Sequence, residues 1–330
     1  MSERDRLLES IAATIADYRA GEIDPPTSQH VERWIGQFAE DVQIPMLAEL
    51  DHVFEQMYLS RRIVTKFLSG LVANKKIAGD DPGSFWKGVR FLDIQGGGNS
   101  QKDMLGMFDA ILQKKYDLEL KKCGKNARTF LYLDDAIFSG NRVRNDLSSW
   151  IETKAPNEAE VHVVAIALHS GGRHYASTKI EGAAHSAHKK IEFSWWRCIE
   201  IEDRNAYINT SNVLRPARLP RNARTKVFVK MLEDAGYPPV LREAGKMGDE
   251  NIFSSEEGRD LLEQQLVQAG LRIREICPYL KVTHRPLGYS VLKTLGFGSL
   301  LVTFRNCPNN CPLAFWAGDP WYPLFPRKIN

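Results

Sequence analysis

The chain has 330 residues, 43% hydrophobic and 26% charged, a composition typical of folded globular proteins and too apolar for a disordered one. Lys and Arg number 44 against 41 Asp and Glu, a net charge of +3. That balance excludes a uniformly basic nucleic-acid coat but not a local basic patch. At about 150 residues per domain, the length predicts two domains, or one large α/β domain with additions. The opening Met-Ser-Glu-Arg-Asp-Arg lacks the apolar stretch of a secretory signal. Apolar runs such as Val161 to Leu168 fall well short of the ~20 residues of a membrane span. A cytoplasmic protein without a membrane partner is expected. The five scattered cysteines, Cys123, Cys198, Cys277, Cys307 and Cys311, read as reduced thiols. Cys307 and Cys311 have no second pair nearby to complete a structural zinc site, so no protein-ligated metal is expected.

In chain order, Leu7, Leu8, Ile11, Ile15 and Tyr18 carry helical spacing over residues 1–20. Gly21 and Pro25-Pro26 break it. Val31, Trp34, Ile35 and Phe38, then Leu47, Leu50, Val53, Phe54 and Met57, are helical again, and a further helix is predicted over Leu59 to Ala73. Residues 1–87 therefore read as a helical N-terminal region, either winged-helix-like or, as the favoured reading, a helical cap packed on a sheet. From residue 88 the texture changes. Val89 to Ile94 is strand-like and runs into Gln95-Gly96-Gly97-Gly98-Asn99-Ser100. A helix carrying Met104, Leu105, Met107, Phe108 and Ile111 follows. Thr129 to Leu133 is a second strand, with a helix to about Thr153 after it, and Val161 to Leu168 is a third, fully buried strand. This alternation predicts βαβ units and a parallel sheet. Farther on, Ile191 to Ile201 and Phe297 to Phe304 read as strands and Ser255 to Ala269 as a helix. Pro312 to Arg327, dense in aromatics and prolines, reads as an ordered extended arm.

The strongest local feature is Leu131-Tyr132-Leu133-Asp134-Asp135-Ala136-Ile137-Phe138-Ser139-Gly140-Asn141. A buried strand ends in two carboxylates, a short hydroxyl- and glycine-bearing loop follows, and then a helix begins. Open α/β sheets bind ligands at the carboxyl ends of their strands. A loop leading into a helix N-terminus offers backbone N–H groups to a phosphate. Two acids beside that cradle suit the two hydroxyls of a ribose, so the segment fits a ribose 5-phosphate better than it fits an acidic turn with a helix cap. The Gly96–Ser100 loop, also between strand and helix, allows close approach of an anion, although a bare glycine triplet is equally a flexible turn. His169, Arg173 and His174 follow the third strand on the same edge, where Arg173 suits a pyrophosphate and either His an acid or base.

These residues resemble the phosphoribosyl-pyrophosphate-binding signature of type I phosphoribosyltransferases. The resemblance implies ribose contacts for Asp134 and Asp135, taken as the candidate catalytic residues. It also implies 5-phosphate contacts for Ser139, Gly140, Asn141 and Arg142, and a pyrophosphate loop of Gly96, Gly97, Gly98, Asn99 and Ser100. Phe138 stands where a small hydroxyl residue is usual, and Asn141 and Arg142 replace a glycine and a threonine. Arg142 adds charge for a phosphate. The later segments Pro286-Leu287-Gly288-Tyr289, Phe304 to Asn310, Trp316 and Trp321 to Arg327 resemble the phosphoribosyltransferase-like family associated with bacterial conflict systems. That resemblance covers roughly residues 30 to 327. It implies a type I phosphoribosyltransferase-like parallel sheet with helices on both faces, over residues 88–330, with an irregular C-terminal extension. It also implies a place in anti-phage loci, including retrons, whose effector is silenced by a reverse transcriptase and its DNA product. Any Mg²⁺ is expected to be held through substrate phosphates.

Arg204 to Lys230 holds seven Lys/Arg and no acid. Arg215, Arg218, Arg221 and Arg224 recur every third residue, with Pro216 and Pro220 between them. In an extended left-handed segment they line one edge, which suits a DNA or RNA backbone, with Trp195, Trp196 and Tyr207 available to stack bases. A basic surface loop docked on acids is the equally weighted alternative. Two functions remain open at this stage. The first is a toxic effector that transfers or cleaves at the anomeric carbon of a nucleotide or nucleic acid. The second is an inactive module that binds nucleotide or nucleic acid for regulation or assembly.

Overall fold

The computed structural model describes residues 1–97, 99–248, 252–292 and 294–327. Three helices, α1 (Glu3–Thr14), α2 (Ser28–Ile35) and α3 (Glu40–Met57), lead to a two-residue strand, β1 (Tyr58–Leu59). Helices α4 (Arg61–Val72), α5 (Lys75–Ala78) and α6 (Pro82–Gly88) follow. The chain then alternates β2 (Arg90–Phe91), α7 (Ser100–Tyr116), β3 (Thr129–Ile137), α8 (Asn141–Thr153), β4 (Glu158–His169), α9 (Ser170–Ser186) and β5 (Lys190–Ile201). It finishes with α10 (Ala223–Asp234), α11 (Glu256–Ile276), β6 (His284–Arg285), β7 (Gly288–Tyr289), β8 (Val302–Thr303) and α12 (Leu313–Trp316). Two compact units result. Residues 62–201 form one, and residues 1–61 join those from 202 onward in the other. The units therefore divide elsewhere than at residue 88.

The first unit is a parallel sheet in the order β2-β3-β4-β5. Its register aligns Phe91, Leu131, His162 and Ser194 on one face, and Arg90, Phe130, Val161 and Phe193 on the other, because strand side chains alternate. On the second face, Phe130 packs 4.9 Å from Trp150 of α8. Tyr132, Val161, Val163 and Ala165 share a core there with Val143 and Leu147 of α8 and Ala176 and Ile180 of α9. On the first face, the Phe91 ring meets Phe108 of α7 at 5.6 Å and Trp86 of α6 at 6.2 Å. Helices cover both faces, as the alternation predicts.

Two boundaries differ from expectation for identifiable reasons. The Val89–Ile94 strand shrinks to Arg90–Phe91 because the fully buried Gln101 side chain takes the N–H groups of Ile94 and Gln95 at 2.8 and 3.0 Å. Those N–H groups are then lost to a ladder. The Thr129 strand instead runs on through both acids to Ile137, because β4 stays alongside it, with Asp134 opposite Ala165 and Ile137 opposite Leu168.

Of the helical region over residues 1–87, α4 to α6 belong to the sheet unit, where Trp86 of α6 meets Phe91 of β2; in the second unit the core partners of α1 to α3 are C-terminal aromatics. The Trp34 indole N–H donates to the Ala314 carbonyl at 2.7 Å, and the Tyr18 hydroxyl donates to that of Pro326 at 3.0 Å. Phe54, Phe315 and Phe325 pack within 5.8 Å of one another, Phe325 edge-on to the other two rings, a favoured arrangement of aromatic rings. The 312–327 arm is thus core, and it includes the single turn α12. The strand expected over Phe297–Phe304 contracts to Val302–Thr303, paired with Tyr58–Leu59, because Gly298 O and Ser299 N bond to the loop residues Leu214 and Asn310.

This unit also holds a buried ionic cluster. Glu263 Oε1 accepts from Arg215 N at 2.8 Å and Arg259 Nε at 2.9 Å, and Oε2 accepts from Arg242 Nη2 at 3.1 Å. Asp260 also pairs with Arg242. The side chains of Arg242, Arg259 and Glu263 are fully removed from solvent, so each charge depends on its partners.

Candidate functional site

At the carboxyl end of β3 the chain passes from a dry strand to an open loop. Leu131, Tyr132 and Leu133 are buried, Asp134 is 3% exposed, and Asp135 is half-buried. Asp134 Oδ1 accepts from the Asp135 N–H at 2.9 Å, and Oδ2 accepts from Gln95 Nε2 at 3.2 Å. Asp135 Oδ1 accepts from Ala136 N at 2.8 Å. Burial, and then the neighbouring Asp135 charge, push the Asp134 carboxyl up to about 7, against the opposing pull of Ser100 and Arg142. A carboxyl poised near neutrality at a strand end can exchange a proton with a bound ligand.

The following loop is held by two glycines. Gly140 has φ +73°, and a Cβ there would lie 2.1 Å from the Gly172 carbonyl oxygen. A Cβ on Gly172 would lie 1.8 Å from the Phe138 oxygen. The 138–140 loop therefore rests backbone-to-backbone on the first turn of α9. Ser139 Oγ accepts from Asn141 Nδ2 at 3.3 Å, and Arg142, exposed, begins α8 with it. Buried His169 has Nδ1 3.0 Å from the Ile137 carbonyl, and its ring lies 4.7 Å from that of Phe138. It braces the loop from beneath. Arg173 pairs with Glu200 at 3.3 Å, and His174 is exposed on α9.

The glycine loop comes to the same place. Arg142 Nη1 donates to Gly97 O at 2.8 Å. Gly96 N donates to Asp146 Oδ1 at 3.4 Å, while the Tyr132 hydroxyl donates to Asp146 Oδ2 at 2.8 Å. Ser100 Oγ donates to Gln95 Oε1 at 3.1 Å. Asn99 precedes α7 without a side-chain cap bond, and Gly98 lies outside the described residues. The two loops, distant in sequence, are thus stitched together by Arg142, Gln95 and Asp146. Sequence reasoning missed Gln95, Gln101 and Asp146. The only local signals were an amide beside a glycine run and an acid one helical turn after Arg142.

The arginines of the basic segment do not share one edge. Arg215 turns inward, and its guanidinium donates to the carbonyls of Leu214, Phe297 and Asp203; burial lowers its pKa to about 10. Arg224 sits on α10, not on an extended segment, and pairs with Glu275 at 2.7 Å. Arg218 and Arg221 are exposed and line a cleft of about 790 Å³ with Glu256, Glu257 and Asp260. That cleft carries both signs of charge. Trp196 donates its indole N–H to His162 Nδ1 at 3.2 Å, and Tyr207 lies under Arg204 at 4.3 Å.

Among the described residues, no group of three or more His, Cys, Asp or Glu is placed to hold a metal ion. No described helix is long and apolar enough to cross a membrane. A family model, PRTase-CE, matches residues 31–327. No curated protein and no solved structure matches the chain.

Proposed function

The chain belongs to the PRTase-CE family, whose members are phosphoribosyltransferase-like, and on that premise we propose that it binds a 5-phosphoribosyl ligand at the carboxyl end of β3. Asp134 and Asp135 take the ribose hydroxyls. Ser139, Gly140, Asn141 and Arg142 take the 5-phosphate at the start of α8, and the Gly96–Ser100 loop faces the anomeric substituent. The observation that carries this reading is the Arg142–Gly97 hydrogen bond, which joins two loops on successive βα units. Chemistry at the anomeric carbon passes through an oxocarbenium-like transition state, which carboxylates beside the ribose stabilise. Mg²⁺, where used, is held through the ligand's phosphates. The setting we attach to this chemistry is a defence effector acting on nucleotides or nucleic acid, with a retron reverse transcriptase–DNA complex as silencing partner. Its support is the resemblance of the 286–289 and 304–327 segments to proteins of bacterial conflict systems.

A second reading, an inactive binding module, is favoured by the packing of Gly140 on Gly172, which fixes the loop in one shape. Calorimetry with ribose 5-phosphate separates the outcomes. Binding by the wild type that falls at least about tenfold in Arg142→Ala, the loss of one charge-assisted contact, is the expected result. Equal binding by the two proteins refutes the assignment. Nucleotide mass spectrometry on cells expressing wild type or the double Asp134→Ala, Asp135→Ala variant then tests turnover. Identical profiles with retained ligand binding select the inactive module.

A further inference from the structure

One amide of the glycine loop is already occupied. In the glycine loop, the Gly96 N–H points at a carboxylate of the protein itself, Asp146 on α8. That carboxylate is not a loose surface group. It is half-buried, its second oxygen accepts the Tyr132 hydroxyl at 2.8 Å, and Tyr132 is a fully buried residue of β3. The nearest cation of the phosphate loop, Arg142, has Nη1 on the Gly97 carbonyl. The loop is therefore closed by an internal anion and an internal cation at successive glycines.

A negative group brought to Gly96 must displace the Asp146 oxygen or sit beside it, and like charges at that range repel strongly in a partly desolvated site. A neutral group meets no such barrier. The 5-phosphate place, Ser139 to Arg142, lies at the start of the same helix as Asp146; there the first-turn N–H groups of α8 and the Arg142 charge face an incoming anion and offset the Asp146 carboxylate.

We propose that Asp146 is a specificity-determining residue. It turns the site away from 5-phosphoribosyl ligands carrying a diphosphate on C1 and toward those whose C1 substituent is uncharged, the class of nucleoside 5′-monophosphates. This rests on the reading of the site given above and sharpens its ligand class. The glycine loop then accommodates a base edge, with Gln95, Ser100 and Asn99 as polar partners, rather than a leaving pyrophosphate.

The test is calorimetric binding of ribose 5-phosphate, AMP, UMP and phosphoribosyl pyrophosphate to the full chain, as wild type, Asp146→Asn and Asp146→Glu. The wild type is expected to bind the monophosphates at least about tenfold more tightly than phosphoribosyl pyrophosphate. Asp146→Asn removes the charge at nearly constant shape. It is expected to raise affinity for phosphoribosyl pyrophosphate relative to ribose 5-phosphate by about tenfold, the order of one screened charge pair. Asp146→Glu, which keeps the charge, retains the discrimination. A merely structural role would move all four ligands together, and that result overturns the proposal. So does a wild type that binds phosphoribosyl pyrophosphate as tightly as AMP, a measurement that needs no variant. Failure of ribose 5-phosphate itself to bind marks a different fault. The site assignment then falls, and the ligand class with it.

Discussion

Replacing Gly172 by Ala tests whether backbone contact with α9 fixes the geometry of the 138–140 loop. Within a helix, Gly→Ala alone is stabilising by about 1 kcal/mol, through lower conformational entropy of the unfolded chain and better helix propensity. At Gly172 the new Cβ would stand 1.8 Å from the Phe138 oxygen and 2.8 Å from its carbonyl carbon, far inside ordinary contact at about 3.5 Å. The obstacle is backbone, so it cannot rotate away, and the upper end of overpacking costs, about 3 kcal/mol or more, applies. Gly182, in the same helix, has nothing within 4 Å of a Cβ and serves as the matched control. Gly182→Ala should gain up to about 1 kcal/mol, and Gly172→Ala should lose about 2 kcal/mol or more net. Urea unfolding gives the totals. Hydrogen exchange of peptides covering residues 129–147 reports the sheet unit directly and should show loss of protection at 136–142 in Gly172→Ala only. Ribose 5-phosphate binding should fall with it. Equal stability and equal protection in the two alanine variants would refute the close-approach argument.

Four further expectations follow from charges. Glu263→Gln leaves the fully buried Arg242 and Arg259 short of their shared counter-charge and should destabilise its unit by about 3–5 kcal/mol in denaturant titration; an unchanged midpoint would show that Asp260 suffices. Because the Asp134 carboxyl is raised from 3.8 to about 7 in the folded state, the folded chain binds more protons between those values. Its contribution is full below pH ~4 and lost as pH rises through about 7, so stability should decline over that window in the wild type and flatten in Asp134→Asn. Arg215→Ala should unfold at lower denaturant, since it strips donors from three part-buried carbonyls. Arg221→Ala should keep its stability and, if nucleic acid binds at the Arg218–Arg221 cleft, lower the salt slope by about one.

The sheet was legible where the pattern was local. The apolar run ending in Asp134-Asp135 announced a strand, and Val161 to Leu168 announced the strand beside it, because a strand buried on both faces needs a nearly continuous apolar stretch. Arg215 shows where such reading ends. A three-residue spacing cannot tell an arginine facing solvent from one that turns inward onto the carbonyls of its neighbour Leu214 and of Asp203 and Phe297. The same holds for Trp34 and Tyr18, whose hydrogen-bond partners at Ala314 and Pro326 lie almost a chain length away, and for Asp146, whose meaning depends on a loop fifty positions earlier. Helical periodicity revealed the faces these residues occupy but not what those faces meet.

The discontinuous unit constrains how the protein is made. Its core rings, Trp34 and Phe54 against Phe315 and Phe325, are separated by more than 250 residues of sequence. Residues 62–201 are translated between them and can fold as they emerge. At about 5–20 residues per second, the apolar faces of α1 to α3 wait on the order of 10–50 s for the segment that covers them. During that interval the nascent chain carries a finished sheet domain tethered to unburied helices. Chaperone engagement, or aggregation in its absence, should therefore concentrate on the N-terminal helices. A ribosome stalled just before codon 312 should hold the candidate ligand site already assembled on a molecule whose other half has yet to form.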